Sequence, residues 1–288
     1  MGLGTGSLWT TWQAEPESIV LLVAIEGLYL LGVGPLRERN NWADYVDPRQ
    51  VATFTLGVLV LFVALVSPIN VISDNYLFSI HMLQHVLLTL VAPPLLIRGL
   101  PHWLIRPLLR PNWAFRTART ITHPIAAFLA FNLVFSLWHI PALYNASLSN
   151  NIVHVVEHMM MISTAMVMWW PLTSTMAELP RVSYPMQMMY LFGLSVAQII
   201  VFGALTFAGQ PLYQHYVDAP RITMFSTLTD QQIGAIIMKI GGGLLFLGLL
   251  VVTFYRWYGE EERMRQANRR KRMDYLENGA PGLEETPT

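Results

Sequence analysis

Long apolar blocks alternate with short polar stretches from residue 19 to residue 257. Seven blocks approach or exceed the roughly 20 residues that a helix needs to cross a bilayer: 19–36, 51–69, 77–97, 124–143, 152–172, 186–208 and 233–257. The pattern predicts an all-α polytopic membrane protein, a bundle of seven transmembrane helices. Helix-breaking residues mark block ends at Gly34-Pro35, Ser67-Pro68, Trp170-Pro171 and Gly209-Gln210-Pro211. Pro93-Pro94 falls inside the third block and should bend or end that helix. No internal repeat or second domain is visible, so residues 1–258 are read as one membrane domain. The tail 259–288 is charged and then rich in Gly, Pro and Glu, which predicts a short helix followed by disorder.

Charge placement gives the chain a direction. Segments 37–50, 98–123 and 173–185 and the tail from Arg256 hold sixteen of the eighteen Lys and Arg residues. The N-terminus and the alternate segments 70–76, 144–151 and 209–232 hold one, Arg221, while Lys239 lies inside a block. Basic residues collect on the cytoplasmic side. The N-terminus is therefore expected outside and the C-terminus in the cytoplasm, an alternation that fits seven spans and not six or eight. No Lys or Arg precedes Arg37, so the basic start of a cleavable signal peptide is missing.

Composition supports a lipid-bilayer protein. Only 12% of residues are charged, against about 25% in soluble domains. Hydrophobic residues make up 53%, and mean hydropathy is +0.42. Lys plus Arg and Asp plus Glu are 18 each, so net charge points to no partner, and nucleic-acid binding has no support. There is no cysteine. This excludes disulfides, thiolate zinc sites, covalent c-type haem and cysteine-held iron–sulfur clusters. A metal would have to be held by His, Met, Asp or Glu.

Five of the eight histidines share a depth. His81 and His85 open the third block, His139 closes the fourth, and His154 and His158 open the fifth. With a 1.5 Å rise per residue, all five lie within roughly 12 Å of the outer helix ends. Each pair is spaced i,i+4 and so faces one way. Imidazole suits copper, zinc and iron, and helical bundles build metal sites between facing helices. A single interfacial His is commonly just hydrated, but five at one depth point to a metal or haem site. His102, His123 and His215 read as structural, His215 with a weak outer role. Glu157 and Asp230 are candidates to orient the imidazoles. Met82 and Met161 are the best-placed thioethers, though methionine is also a common apolar filler. Glu26 and Lys239 lie in the same outer half and are expected to pair with each other or with the polar site.

Other chemistries compete for these residues. His154-Val-Val-Glu157-His158 matches the H-x-x-E-H pattern of a membrane metalloprotease, which would leave three histidines without a role. Two histidines on different helices could instead hold a b-type haem in a membrane redox protein. A metal-free transporter or receptor is a third reading.

Three strings carry a family resemblance. His81-Met-Leu-Gln-His85 through Pro93-Pro94, Trp138-His139-Ile-Pro141-Ala-Leu-Tyr144, and His154-Val-Val-Glu157-His158 followed by Trp169-Trp170-Pro171 resemble the CtaG family of cytochrome c oxidase assembly factors, the type associated with caa-type haem-copper oxidases. Pro211-Leu-Tyr213 and Asp230-Gln231-Gln-Ile-Gly234 resemble its last outer segment. The resemblance covers roughly residues 20–258. It implies a seven-span, multi-pass protein of the bacterial inner membrane, a non-enzyme that works with the subunits of a haem-copper oxidase. The family's histidines fall on His81, His85, His139, His154 and His158. Residues and resemblance together lead to one expectation: an outward-facing polyhistidine site that binds copper and assists its insertion into an oxidase.

Overall fold

The computed structural model describes Trp12 and residues 16–278. Among the described residues there is no strand, and the chain is a bundle of helices. In chain order these are α1 (Pro16–Asn40), α2 (Pro48–Val66), α3 (Pro68–Asn75), α4 (Phe78–Gly99), α5 (Asn112–Ile121), α6 (Pro124–Trp138), α7 (Pro141–Ser149), α8 (Asn151–Thr173), α9 (Tyr184–Thr206), α10 (Gln214–Asp218) and α11 (Thr227–Asn278). A short helical stretch, His102–Leu109 in two turns, bridges α4 and α5.

Six helices are long and apolar enough to cross a membrane: α1, α2, α4, α8, α9 and α11. The fourth block does not form a helix over 124–143. α6 stops at Trp138 because His139 takes the capping conformation and Pro141, which has no N–H, starts α7. Fifteen residues span about 22 Å, short of the ~30 Å hydrocarbon layer. By length and composition α6 passes as a span only together with α5, from which it bends by 69°.

Proline acts differently from the expectation at two places. Gly34-Pro35 does not end α1. A π-helical turn, Gly32–Leu36, absorbs it through the non-helical Gly34 (φ −101°, ψ −106°), and the helix runs on to Asn40. Pro93-Pro94 does not end α4 either. It follows a π turn at Leu87–Val91 and begins the final stretch Ala92–Gly99. Pro93 cannot donate to Thr89 O. Trp169 of α8 donates there instead, its Nε1 2.9 Å from the carbonyl. The expected loop 70–76 is largely α3, capped by Ser67 Oγ on Ile69 N.

α4 is the most buried span and separates two apolar clusters. One joins α1 and α2 to the Leu88, Ala92 and Leu96 face of α4, and the other joins α4, α6, α8, α9 and α11. Close approach needs missing side chains at two crossings. A Cβ on Gly99 would lie 2.4 Å from the backbone nitrogen of Phe54, and one on Gly234 would lie 2.5 Å from the Phe78 ring. Interactions group the helix ends. Glu17 with Asn151 and Asp74 with His215 lie at the histidine end, while Arg106 with Glu178 and Tyr184 with Glu260 lie at the other. The tail continues α11 as helix to Asn278. The disorder expected beyond it falls outside the described residues.

Candidate metal centre

The two histidine pairs meet. α4 brings His81 and His85, α8 brings His154 and His158, and the cap of α6 brings His139. All five are buried, His81 and His85 completely. Ring centroids are 4.5 Å apart for His81 and His85 and 4.3 Å for His154 and His158. Across the helices, His81 lies 5.9 Å from His154, and His85 lies 5.9 Å from His158 and 6.0 Å from His139.

Neighbouring groups settle which nitrogens are free to bind. His139 Nδ1 lies 2.7 Å from Phe135 O, which only accepts, so Nδ1 carries the proton and Nε2 keeps its lone pair. Tyr216 uses its one proton on Ser73 O at 2.7 Å. It can therefore only accept from His81 Nδ1 at 3.2 Å, which leaves His81 Nε2 unprotonated. His81 Nε2 faces His85 Nε2 at 2.9 Å. That is an N–H···N hydrogen bond donated by His85, and it is also about the roughly 3 Å separation of two nitrogens bound to one ion by bonds of about 2.0–2.1 Å.

Several buried atoms lack a hydrogen-bond partner: His139 Nε2, His158 Nε2, His85 Nδ1 and both oxygens of Glu157. A buried polar atom needs a partner, and an ion or a water molecule can supply one. Donor atoms of His81, His154 and His158 lie within 4.8 Å of one another, as do those of His81, His85 and Glu157. The residues thus fit an ion held by imidazole with one carboxylate, and His81 belongs to both groups.

Glu157 Oε1 lies 3.8 Å from His85 Nε2, near the imidazole but beyond hydrogen-bond distance. Asp230 is engaged elsewhere. Its carboxylate accepts from Phe78 N at 2.7 Å, from Ser79 N at 3.4 Å and from Ser79 Oγ, and so holds the first turn of α4. Met82 and Met161 are fully buried in the larger apolar cluster, with Met82 against Gly234. Glu26 and Lys239 do not pair. Glu26 accepts from Thr55 Oγ1 at 2.6 Å, and Lys239 donates to Ser195 O at 2.6 Å. Their helices belong to different apolar clusters, which depth along the chain could not show. His102 and His123 are exposed, and His215 Nε2 donates to Asp74 O at 2.7 Å.

The sequence reading missed a roof. Tyr144, Tyr213 and Tyr216 are all but completely buried and pack on Phe78. Tyr213 donates to His139 O at 3.0 Å, and Tyr144 and Tyr216 meet at 3.2 Å. Burial holds the Tyr216 hydroxyl well above the ordinary phenol range. Asp74 joins the site as well, its Oδ1 3.7 Å from both His81 Nδ1 and His154 Nε2. Burial pushes its carboxyl up to about 7.

Comparison with known families bears directly on this cluster. The model of the cytochrome c oxidase caa3 assembly factor family (Caa3_CtaG) matches residues 27–260. The chain belongs to that family. The match contains all five histidines, Glu157 and the three roof tyrosines. Neither the curated proteins nor the solved structures compared with this Caa3_CtaG chain gave a match. Its membership rests on the family model alone.

Proposed function

We propose that this assembly factor carries copper on His81, His85, His139, His154 and His158 and assists its insertion into a haem-copper cytochrome c oxidase. The carrying observation is the convergence of five buried imidazoles from three helices in a chain of this family, with nitrogens of His85, His139 and His158 left without a hydrogen bond. Copper is cargo here. Neutral imidazole binds it without thiolate, and more nitrogens than one ion uses leave ligands free for exchange. Glu157 supplies an oxygen beside His85. The work needs no bond-making catalysis, which fits a non-enzyme.

The site is read as outward-facing, in a seven-span protein of the bacterial inner membrane with its C-terminus in the cytoplasm. The sixteen-to-one distribution of basic residues supports that orientation. The seventh crossing is read at α6, with α5 and its Arg116 and Arg119 kept on the cytoplasmic side.

In the haem reading one histidine of α4 and one of α8 would hold the iron, and the absorption spectrum separates it from the copper reading. Burial disfavours proteolysis: Glu157 is 0% exposed, beyond the reach of a peptide.

Elemental analysis and an absorption spectrum of protein purified without added metal test the reading. Copper without a Soret band is expected. Substituting His81 and His158 together by Ala should lower bound copper and oxidase assembly in parallel. Full oxidase activity in cells carrying that double variant would refute the proposal.

A further inference from the structure

A hollow of about 570 Å³ lies at the end of the bundle away from the histidines, between the ends of α4 and α8, the start of α9 and the middle of α11. Arg98, Arg181 and Arg256 line it, and no Asp or Glu does. Among the described residues none of the three arginines has a carboxylate partner, whereas Arg37, Arg106 and Arg265 do. Arg181 is held by a ring instead, with its guanidinium carbon 5.6 Å from the centre of Tyr184. Thr173 and Ser174 direct their hydroxyl protons to Trp169 O and Leu179 O, and the guanidiniums bring the charged donors.

The remaining wall is apolar. Leu172, Leu191, Leu249 and Val252 line the same hollow, and Val252 is 47% exposed on the outer flank of α11. An adjoining hollow of about 600 Å³ shares Arg181 and Arg256 and adds Arg263. Its one acid, Glu260, accepts from Tyr184. Guanidinium forks match phosphate oxygens two at a time. Basic hollows between membrane helices suit lipid phosphates, and an aliphatic wall open to the side suits acyl chains. A free anion would leave that wall unused.

We propose that this hollow binds the phosphate headgroup of an anionic phospholipid, with its acyl chains along α11. The site is independent of the histidine cluster. Delipidated full-length protein in neutral detergent is titrated with phosphatidylglycerol, phosphatidylcholine or inorganic phosphate, and read by native mass spectrometry and Tm. Phosphatidylglycerol is expected to be retained and to raise Tm, and the other two are not. Substituting Arg98, Arg181 or Arg256 singly by Gln should weaken retention roughly fivefold each, the effect of one basic side chain at a membrane surface. Arg110→Gln, away from the hollow, should leave it unchanged. The single variants carry the test if a triple variant fails to fold. Equal retention by the single variants overturns the proposal, and so does equal retention of phosphatidylcholine. Displacement of the lipid by equimolar inorganic phosphate would assign the arginines to a soluble anion instead.

Discussion

Replacing Asp230 by Asn would weaken the hold on the backbone of Phe78 and Ser79, three residues or fewer before His81. A cap lost at a helix start costs about 1 kcal/mol. The expected result is a modest fall in Tm together with weaker copper retention, while Glu38→Gln on the exposed surface changes neither. The proposed ligands should behave differently. His85→Ala is expected to lower copper stoichiometry with little loss of fold, measured by elemental analysis beside circular dichroism. The five histidines were legible because polar residues in apolar blocks stand out and their depth can be counted. Asp74 and Tyr216 were not. Each reaches His81 through a segment that reads as loop, and Tyr216 lies 135 residues away from it. The task of Asp230 is not legible in the sequence, since an acid near a helix start can serve backbone or side chain equally well.

Helix α4 takes its shape from a neighbour. Its π turn and two prolines leave Thr89 O without a donor, and Trp169 supplies one from α8. Trp169→Phe should therefore destabilise by about 1–3 kcal/mol, the cost of an unsatisfied buried carbonyl, read as a lower Tm in detergent. Adding a side chain at Gly99 should also be harmful. Its Cβ would meet the backbone of α2, which cannot step aside as a flexible side chain can. Overpacking of that kind costs about 1–3 kcal/mol, so Gly99→Ala is expected to lower Tm by more than Gly248→Ala, where nothing lies within reach. Most membrane blocks were readable from apolar length alone. The prolines were not, because a proline ends a helix only when no other element satisfies the stranded carbonyl. The short α6 escaped for the same kind of reason: apolarity continues past Trp138, but His139 and Pro141 redirect the backbone.

Across the whole molecule, chemistry is divided by end. Imidazoles, tyrosines and two buried carboxyls gather at one end, unpaired guanidiniums gather at the other, and α4 and α8 contribute to both. The overall class was readable because a bilayer imposes long apolar runs. Which helices adjoin was not, since each block is apolar in much the same way. The tyrosine roof has a consequence for kinetics. With Tyr144, Tyr213 and Tyr216 packed on Phe78 beside the imidazoles, copper carried as proposed would be shielded from a water-soluble chelator until the roof lifts. Release should then be first order, with a half-life that is flat against chelator concentration. Tyr216→Ala should speed release and make it rise in proportion to the chelator. The clock of handover would lie in the opening of a lid, and an acceptor that docks on that lid could start it.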